Sequence, residues 1–321
     1  MTHAQYRAAM VERFWRYAQT LRAEDKCVLE EDKPRNDRPP VFVQKATHLN
    51  VLMRPGASSK EIDDVLSQMP LRERHRWFGS MSSSQALALS VFGNLKYHRL
   101  LPLFNGFKCE CGGDFVSEES LVRETMVLEH SVEHLGEPRA TSIDVFFSGT
   151  PCVAVECKLT ESEVGKCSRP RLREKAPTYQ DGFCDSNYRP QMGRHERCPL
   201  TKLGVLYWQY IPQLFHWRSD EDHMPCPLYR NYQLVRNVLA VATGTEDIVT
   251  AQRGHAVLLY DARNPSFLPG GDGFIAFDEV QKGLKHVELI RKCSWQGLVQ
   301  HLREAGLPPW LSDGLRCKYG L

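Results

Sequence analysis

Hydrophobic residues near the start of the chain recur with helical spacing. The series runs through Met10, Phe14, Tyr17 and Leu21 at intervals of four, three and four residues. This spacing predicts an amphipathic helix. The polar, proline-bearing text of residues 30–55 then indicates an irregular connection. A second helix is predicted to begin at Ser82, because Gln85 follows three residues later as in a capping box.

Residues 126–158 change to short β-rich runs separated by turn residues. The runs are LEHSVEHLG, SIDVFF and CVAVECK, with the turns GEPR and SGTP between them. Such runs predict three strands. Because the SGTP turn is short, the second and third strands should form an antiparallel hairpin.

The remaining pattern completes a fold prediction. Residues 165–199 are polar and show little periodicity, whereas 203–215 and 228–242 have helical spacing, and 256–260 are apolar on both faces like a buried strand. The order α-β-β-β-α-β predicts an α/β fold with a mixed sheet flanked by helices. We divide the chain into an N-terminal helical region (1–80), a core (81–265) with a cysteine- and arginine-rich insertion (165–199), and a C-terminal helical extension (266–321).

Composition narrows the class of protein only a little. The chain has 321 residues, 42% hydrophobic and 25% charged, as in ordinary globular proteins. The sequence has no run of ~18 apolar residues and no secretory signal, so we expect a cytoplasmic protein without a membrane partner. A net charge of +2 permits a nucleic-acid partner without indicating one.

Charged residues inside the predicted hairpin are the main chemical signal. Strand alternation puts Glu156 and Lys158 on one face and Cys157 on the other. Counting back through the turn places Asp144 opposite Glu156 or one position away. These charges stand among valines, where they are costly unless paired or bound to a metal. Two carboxylates suit Mg²⁺, with Mn²⁺ as an alternative, and phosphodiester hydrolysis uses such a cation together with a lysine. A purely structural ion pair is the competing interpretation.

The spacing of these residues resembles a known signature. Asp144, eleven intervening residues and then Glu156-Cys157-Lys158 are similar to the motif of the PD-(D/E)XK nuclease superfamily, which has the restriction-endonuclease-like fold. LGEPRATSIDVFF, ECKLTE and CDSNYRPQ also resemble a bacterial family of restriction-endonuclease-like proteins. The resemblance implies that Asp144 and Glu156 bind the divalent metal with the Cys157 backbone carbonyl, and that Lys158 is the catalytic lysine.

The resemblance also implies further site residues. Members often carry another acid upstream of the hairpin, for which Glu129 is the first candidate and Glu133 the second. Helices after the lysine often place Gln or Tyr near the phosphate, and Asn187, Tyr188 and Gln191 fit that position loosely. A loop and helix cap is the structural alternative for these three.

The cysteines raise a separate hypothesis. Eleven cysteines without a secretory signal argue for reduced thiols or metal ligation and against a disulfide framework. Cys167, Cys184 and Cys198, with His195 or Cys226 as a fourth ligand, could hold zinc or an iron–sulfur cluster. Their spacing matches no compact zinc motif, so ordinary reduced thiols are the alternative.

A basic run follows the third strand. Lys166, Arg169, Arg171 and Arg173 would contact a phosphate backbone without reading its sequence; a solvated loop is the alternative. Together these features predict a Mg²⁺-dependent deoxyribonuclease acting on DNA, an endonuclease in preference to an exonuclease, and compatible with a homodimer. The competing hypotheses are an inert nucleic-acid-binding module and a cysteine-centred metal protein.

Overall fold

In a computed structural model, the described residues are 1–23, 28–31, 33–35, 37–121, 125–138, 140–191, 193–244 and 248–321. Short 3-10 turns join the helices of these ranges. The helices are α1 (His3–Ala23), α2 (Ser59–Ser67), α3 (Ser84–Ala88), α4 (Asn94–Tyr97), α5 (Tyr179–Gly182), α6 (Pro199–Lys202), α7 (Tyr207–Leu214), α8 (Leu228–Ala242), α9 (Asp272–Gly283), α10 (Trp295–Glu304) and α11 (Pro309–Tyr319). A π-helical segment, Leu89–Gly93, connects α3 to α4.

The strands of the described chain form one mixed sheet. They are β1 (Met126–Ser131), β2 (Ser142–Phe147), β3 (Cys152–Cys157), β4 (Gly254–Tyr260) and β5 (Ile290–Ser294), in that spatial order. The first three strands are antiparallel neighbours, while β3, β4 and β5 run parallel. Because parallel strands need a crossover connection, α8 links β3 to β4 and α9 links β4 to β5.

Helices cover both faces of this sheet. Side chains alternate along each strand, so Val153 and Val155 pack into one core with α1, α3, α10 and α11, whereas Ala154 packs into a second core with α7, α8 and α9. Every residue of β3 and β4 is buried. This double coverage explains the continuous apolar text of the interior strands.

The predicted meander and buried strand are confirmed, and most differences lie at element ends. The N-cap of α3 is Ser83 and not Ser82, because the Ser83 hydroxyl accepts the Ala86 N–H. The predicted 203–215 helix begins only at Tyr207, since Gly204 lies at φ 90° and separates α6 from α7. The tail predicted as helical also contributes β5, a short strand whose charged residues gave no alternating signal.

Candidate active site

Three carboxylates lie side by side across the antiparallel strands. The register pairs Val145 with Val155, so the next positions, Asp144 and Glu156, face each other. On the other side of β2, the pairs around Glu129 place it opposite Asp144. The predicted proximity of Asp144 and Glu156 is therefore confirmed, and the structure places Glu129, not Glu133, beside them.

Asp144 is a half-buried acid that forms no ion pair with the described residues. Its Oδ2 accepts the Cys157 backbone N–H at 2.6 Å. Burial raises the pKa of Asp144 well above its ordinary value, and the charges of Glu156 and Glu129 raise it further. A carboxylate in this position is short of a cation, which is the condition that a bound metal relieves.

Glu156 and Lys158 form a buried ion pair held by helix α8. Lys158 Nζ donates to Glu156 Oε1 at 2.8 Å and to Gln233 Oε1 at 2.9 Å. The other oxygen of Glu156 accepts from Asn237 Nδ2 at 2.9 Å and lies 3.5 Å from the Arg236 guanidinium. This second oxygen therefore has two neighbouring donors, whereas the first has one.

The surrounding charges favour the charged forms of both Glu156 and Lys158. Burial would lower the pKa of Lys158, but the carboxylates of Glu156, Glu161 and Asp144 outweigh it and raise that pKa. Burial would raise the pKa of Glu156, but Lys158 and Arg236 reverse the effect and lower it. Lys158 is therefore an ammonium donor at neutral pH, a point on which the sequence left the choice open.

Glu129 is oriented by two donors from other elements. Gln85 Nε2 donates to its Oε1 at 2.7 Å and Ser142 Oγ to its Oε2 at 2.5 Å. Its backbone has φ 51°, a left-handed value that is uncommon for a non-glycine residue and occurs often at functional sites. Burial raises the pKa of Glu129, and these two hydrogen bonds oppose that rise only in part.

These acids and Lys158 line one cavity of about 490 Å³. Its rim includes Arg72, exposed by 85% at its side chain, and Arg74 from the N-terminal region. Glu161 also lines it and accepts the Ser84 hydroxyl at 2.7 Å. The lining is therefore mixed in charge, and the exposed Arg72 in it pairs with Glu73 at 3.0 Å.

The predicted nucleic-acid residues lie outside this cavity. Its lining within the described chain includes none of Lys166, Arg169, Arg171, Arg173 and Gln191. Lys166 pairs with Glu163, and Arg171 stands 3.6 Å from the same carboxylate. DNA contact by this run stays a prediction.

Asn187, Tyr188 and Gln191 are also absent from the lining of the described cavity. The Gln191 amide bonds to the Asp185 N–H and to the Asn187 carbonyl within its own loop. The position beside the lysine is instead occupied by Gln233.

Sequence reasoning missed the polar residues of α8. Gln233, Arg236 and Asn237 are spaced i, i+3, i+4, so they share one helix face, and that face meets Lys158 and Glu156. A search for polar triplets at this spacing within the helix predicted over 228–242 could have found them. Arg72 had no comparable signal, because only the tertiary fold brings it to the cavity.

No group of three or more His, Cys, Asp or Glu side chains in the described ranges is arranged to hold a metal ion as it stands. Mg²⁺ needs fewer protein ligands, because it keeps several waters and takes one or two carboxylates. Asp144 and Glu156, facing each other across two strands, supply that donor set. Participation of the Cys157 carbonyl stays a prediction.

Comparison with known proteins identifies a family for the chain. A family model described as Restriction Endonuclease associating with ARP matches residues 18–320. No curated protein and no solved structure matches the chain significantly. Among the described residues, no helix combines the length and apolar character needed to span a membrane.

Proposed function

The chain belongs to the family described as Restriction Endonuclease associating with ARP, which gives it a nuclease-related function, and from this premise we propose that it is a Mg²⁺-dependent nuclease that hydrolyses phosphodiester bonds in DNA. The observation that carries the proposal is the meeting of Asp144, Glu156, Glu129 and Lys158 at one cavity. A structural ion pair would need only Glu156 and Lys158. It would not account for the half-buried Asp144, which has no ion-pair partner among the described residues.

Each residue has a distinct role in this proposal. Asp144 and the less occupied oxygen of Glu156 would hold Mg²⁺, which acidifies a bound water and neutralises phosphoryl charge when present. Lys158 is protonated, so it would donate a hydrogen bond to the scissile phosphate or orient the attacking water, and would not act as a base. Glu129 lines the same cavity, and in this proposal it would accept a proton from the attacking water.

Residues of α8 orient this pair through hydrogen bonds. Gln233 accepts a hydrogen bond from the Lys158 ammonium, and Asn237 donates one to the Glu156 carboxylate. Because both come from α8, one helix sets the positions of both members of the pair. Arg72 at the rim would contact phosphate oxygens as the strand enters.

Incubation of the purified protein with supercoiled plasmid and with linear duplex DNA tests the proposal. We expect nicked or linear products with Mg²⁺ and none with EDTA. Lys158→Ala, checked for folding by circular dichroism, should cut neither substrate. Cutting by a folded Lys158→Ala protein at the wild-type rate, or DNA binding without any cutting under Mg²⁺ or Mn²⁺, would refute it.

A further inference from the structure

Four cysteines from distant parts of the chain converge on one small cavity. Cys167, Cys184, Cys198 and Cys226 all line a space of about 20 Å³ between the 165–199 segment and the start of α8. The first three are buried and Cys226 is half-buried. Arg169, Ser186 and Tyr229 also belong to the lining, together with prolines and leucines. His195, the other candidate fourth ligand, is exposed and does not line this space.

The four cysteines are far apart in the sequence, yet they surround the same space. Three come from residues 165–199 and one lies just before α8. Cys184 also donates to the Asn187 carbonyl at 3.4 Å and accepts from Gln191 Nε2 at 3.6 Å. Four converging thiols supply the number and the type of ligands that a structural zinc site uses.

We propose that these four cysteines bind one zinc ion as a structural tetrathiolate site. Zinc in structural sites is coordinated by four Cys or His ligands in a tetrahedron. The cavity volume of about 20 Å³ exceeds the roughly 10–15 Å³ that admits one water-sized particle.

The proposal requires that the sulfurs move closer together on metal uptake. In the structure, no group of three or more His, Cys, Asp or Glu side chains among the described residues is close enough together to hold a metal ion. The movement is permitted because three of the cysteines belong to residues 165–199, where the described helices have four residues or fewer.

The zinc site would tie the loop after the catalytic strand to α8. Cys226 lies two residues before Leu228, where α8 begins, and the Cys167 N–H already bonds to the Tyr229 carbonyl at 2.9 Å. Further along the same helix, Gln233 contacts Lys158. The ion would therefore stabilise the helix that positions the ion pair, yet its binding does not depend on nuclease chemistry.

Metal analysis of the full-length protein tests the site. The protein is purified without added metal, dialysed against dilute EDTA and measured by inductively coupled plasma mass spectrometry. We expect about one zinc per chain in the wild type and in Cys152→Ser, a buried cysteine of β3 that serves as the control. Cys198→Ser and Cys226→Ser should each lose the zinc.

A second measurement covers the case in which the variants do not fold. Wild-type protein produced with cobalt in place of zinc should show sulfur-to-cobalt charge-transfer bands and the visible bands of tetrahedral cobalt. Wild-type protein without zinc, zinc retained by both variants, or iron with acid-labile sulfide in its place would overturn the proposal.

Discussion

Replacing Asp144 with asparagine should stabilise the metal-free protein while removing its function. The amide oxygen can still accept the Cys157 N–H that Asp144 now accepts. The substitution removes a half-buried acid whose charged form is opposed by desolvation and by the charges of Glu156 and Glu129. In most proteins an isosteric change at a buried hydrogen-bonded residue is destabilising, so the expected sign is unusual.

The magnitude follows from proton linkage. The folded-state pKa of Asp144 lies well above its unfolded value, so above about pH 4 the unfolded chain loses this proton while the folded chain keeps it. The free energy of unfolding of the wild type then falls by at most about 1.4 kcal/mol per pH unit until the folded pKa is reached. The variant should therefore gain stability relative to the wild type as the pH rises above about 4, by no more than that amount per pH unit.

Urea unfolding at pH 4, 5, 6 and 7 in EDTA measures this difference. Asp63→Asn, which changes an exposed carboxylate, is the matched control and should show no such widening. A constant difference across the pH series, or a loss of stability in Asp144→Asn that grows with pH, would refute the reasoning. Addition of Mg²⁺ should stabilise the wild type and not the variant.

Three further predictions concern the ion pair, a buried histidine and the cavity rim. Lys158→Met leaves the buried Glu156 carboxylate without its main counter-charge, so it should lower the free energy of unfolding by about 3–5 kcal/mol. In a double-mutant cycle, adding Glu156→Gln should restore much of that loss, and simple additivity of the two effects would contradict the pairing. Burial lowers the pKa of His255 to about 4, so between pH 6.5 and 4 the unfolded state binds a proton that the folded state does not, and the free energy of unfolding falls by about 3 kcal/mol. In urea titrations His255→Gln should lose less stability as the pH falls, and an unchanged pH dependence would count against the assignment. Arg72→Ala should reduce the salt dependence of DNA binding by about one phosphate contact, as measured by fluorescence anisotropy, whereas Lys60→Ala should leave the slope unchanged.

The strand pattern made the centre of the site predictable. Alternation and a short turn are local properties, so the pairing of Asp144 with Glu156 followed from counting along 142–158. Glu129 was harder, because its left-handed backbone interrupts the regular ladder of β1. Its contact with Gln85 also joins residues 44 positions apart, which no local pattern shows.

The features that could not be predicted from the sequence depend on contacts between residues far apart in the chain. Gln233 belongs to a helix that was predicted from the apolar residues of one face. The role of its polar face depends on the packing of α8 against β3, which brings Gln233 to Lys158. Strand β5 lies at the sheet edge, where half-buried charged residues hide the hydrophobic period. The convergence of Cys226 with Cys167 likewise depends on a fold that brings together residues outside any compact motif.

Single-turnover cleavage of a labelled duplex with Mg²⁺ tests the central claim most directly, with wild type, Asp144→Asn and Glu133→Gln measured side by side. Glu133 is an exposed acid of the same segment and lies outside the lining of the described cavity, so it is the matched control. Wild type and Glu133→Gln should cut at equal rates, and Asp144→Asn should be slower by on the order of 10³-fold or more while remaining folded. Equal rates in all three proteins would contradict the assignment of the active site.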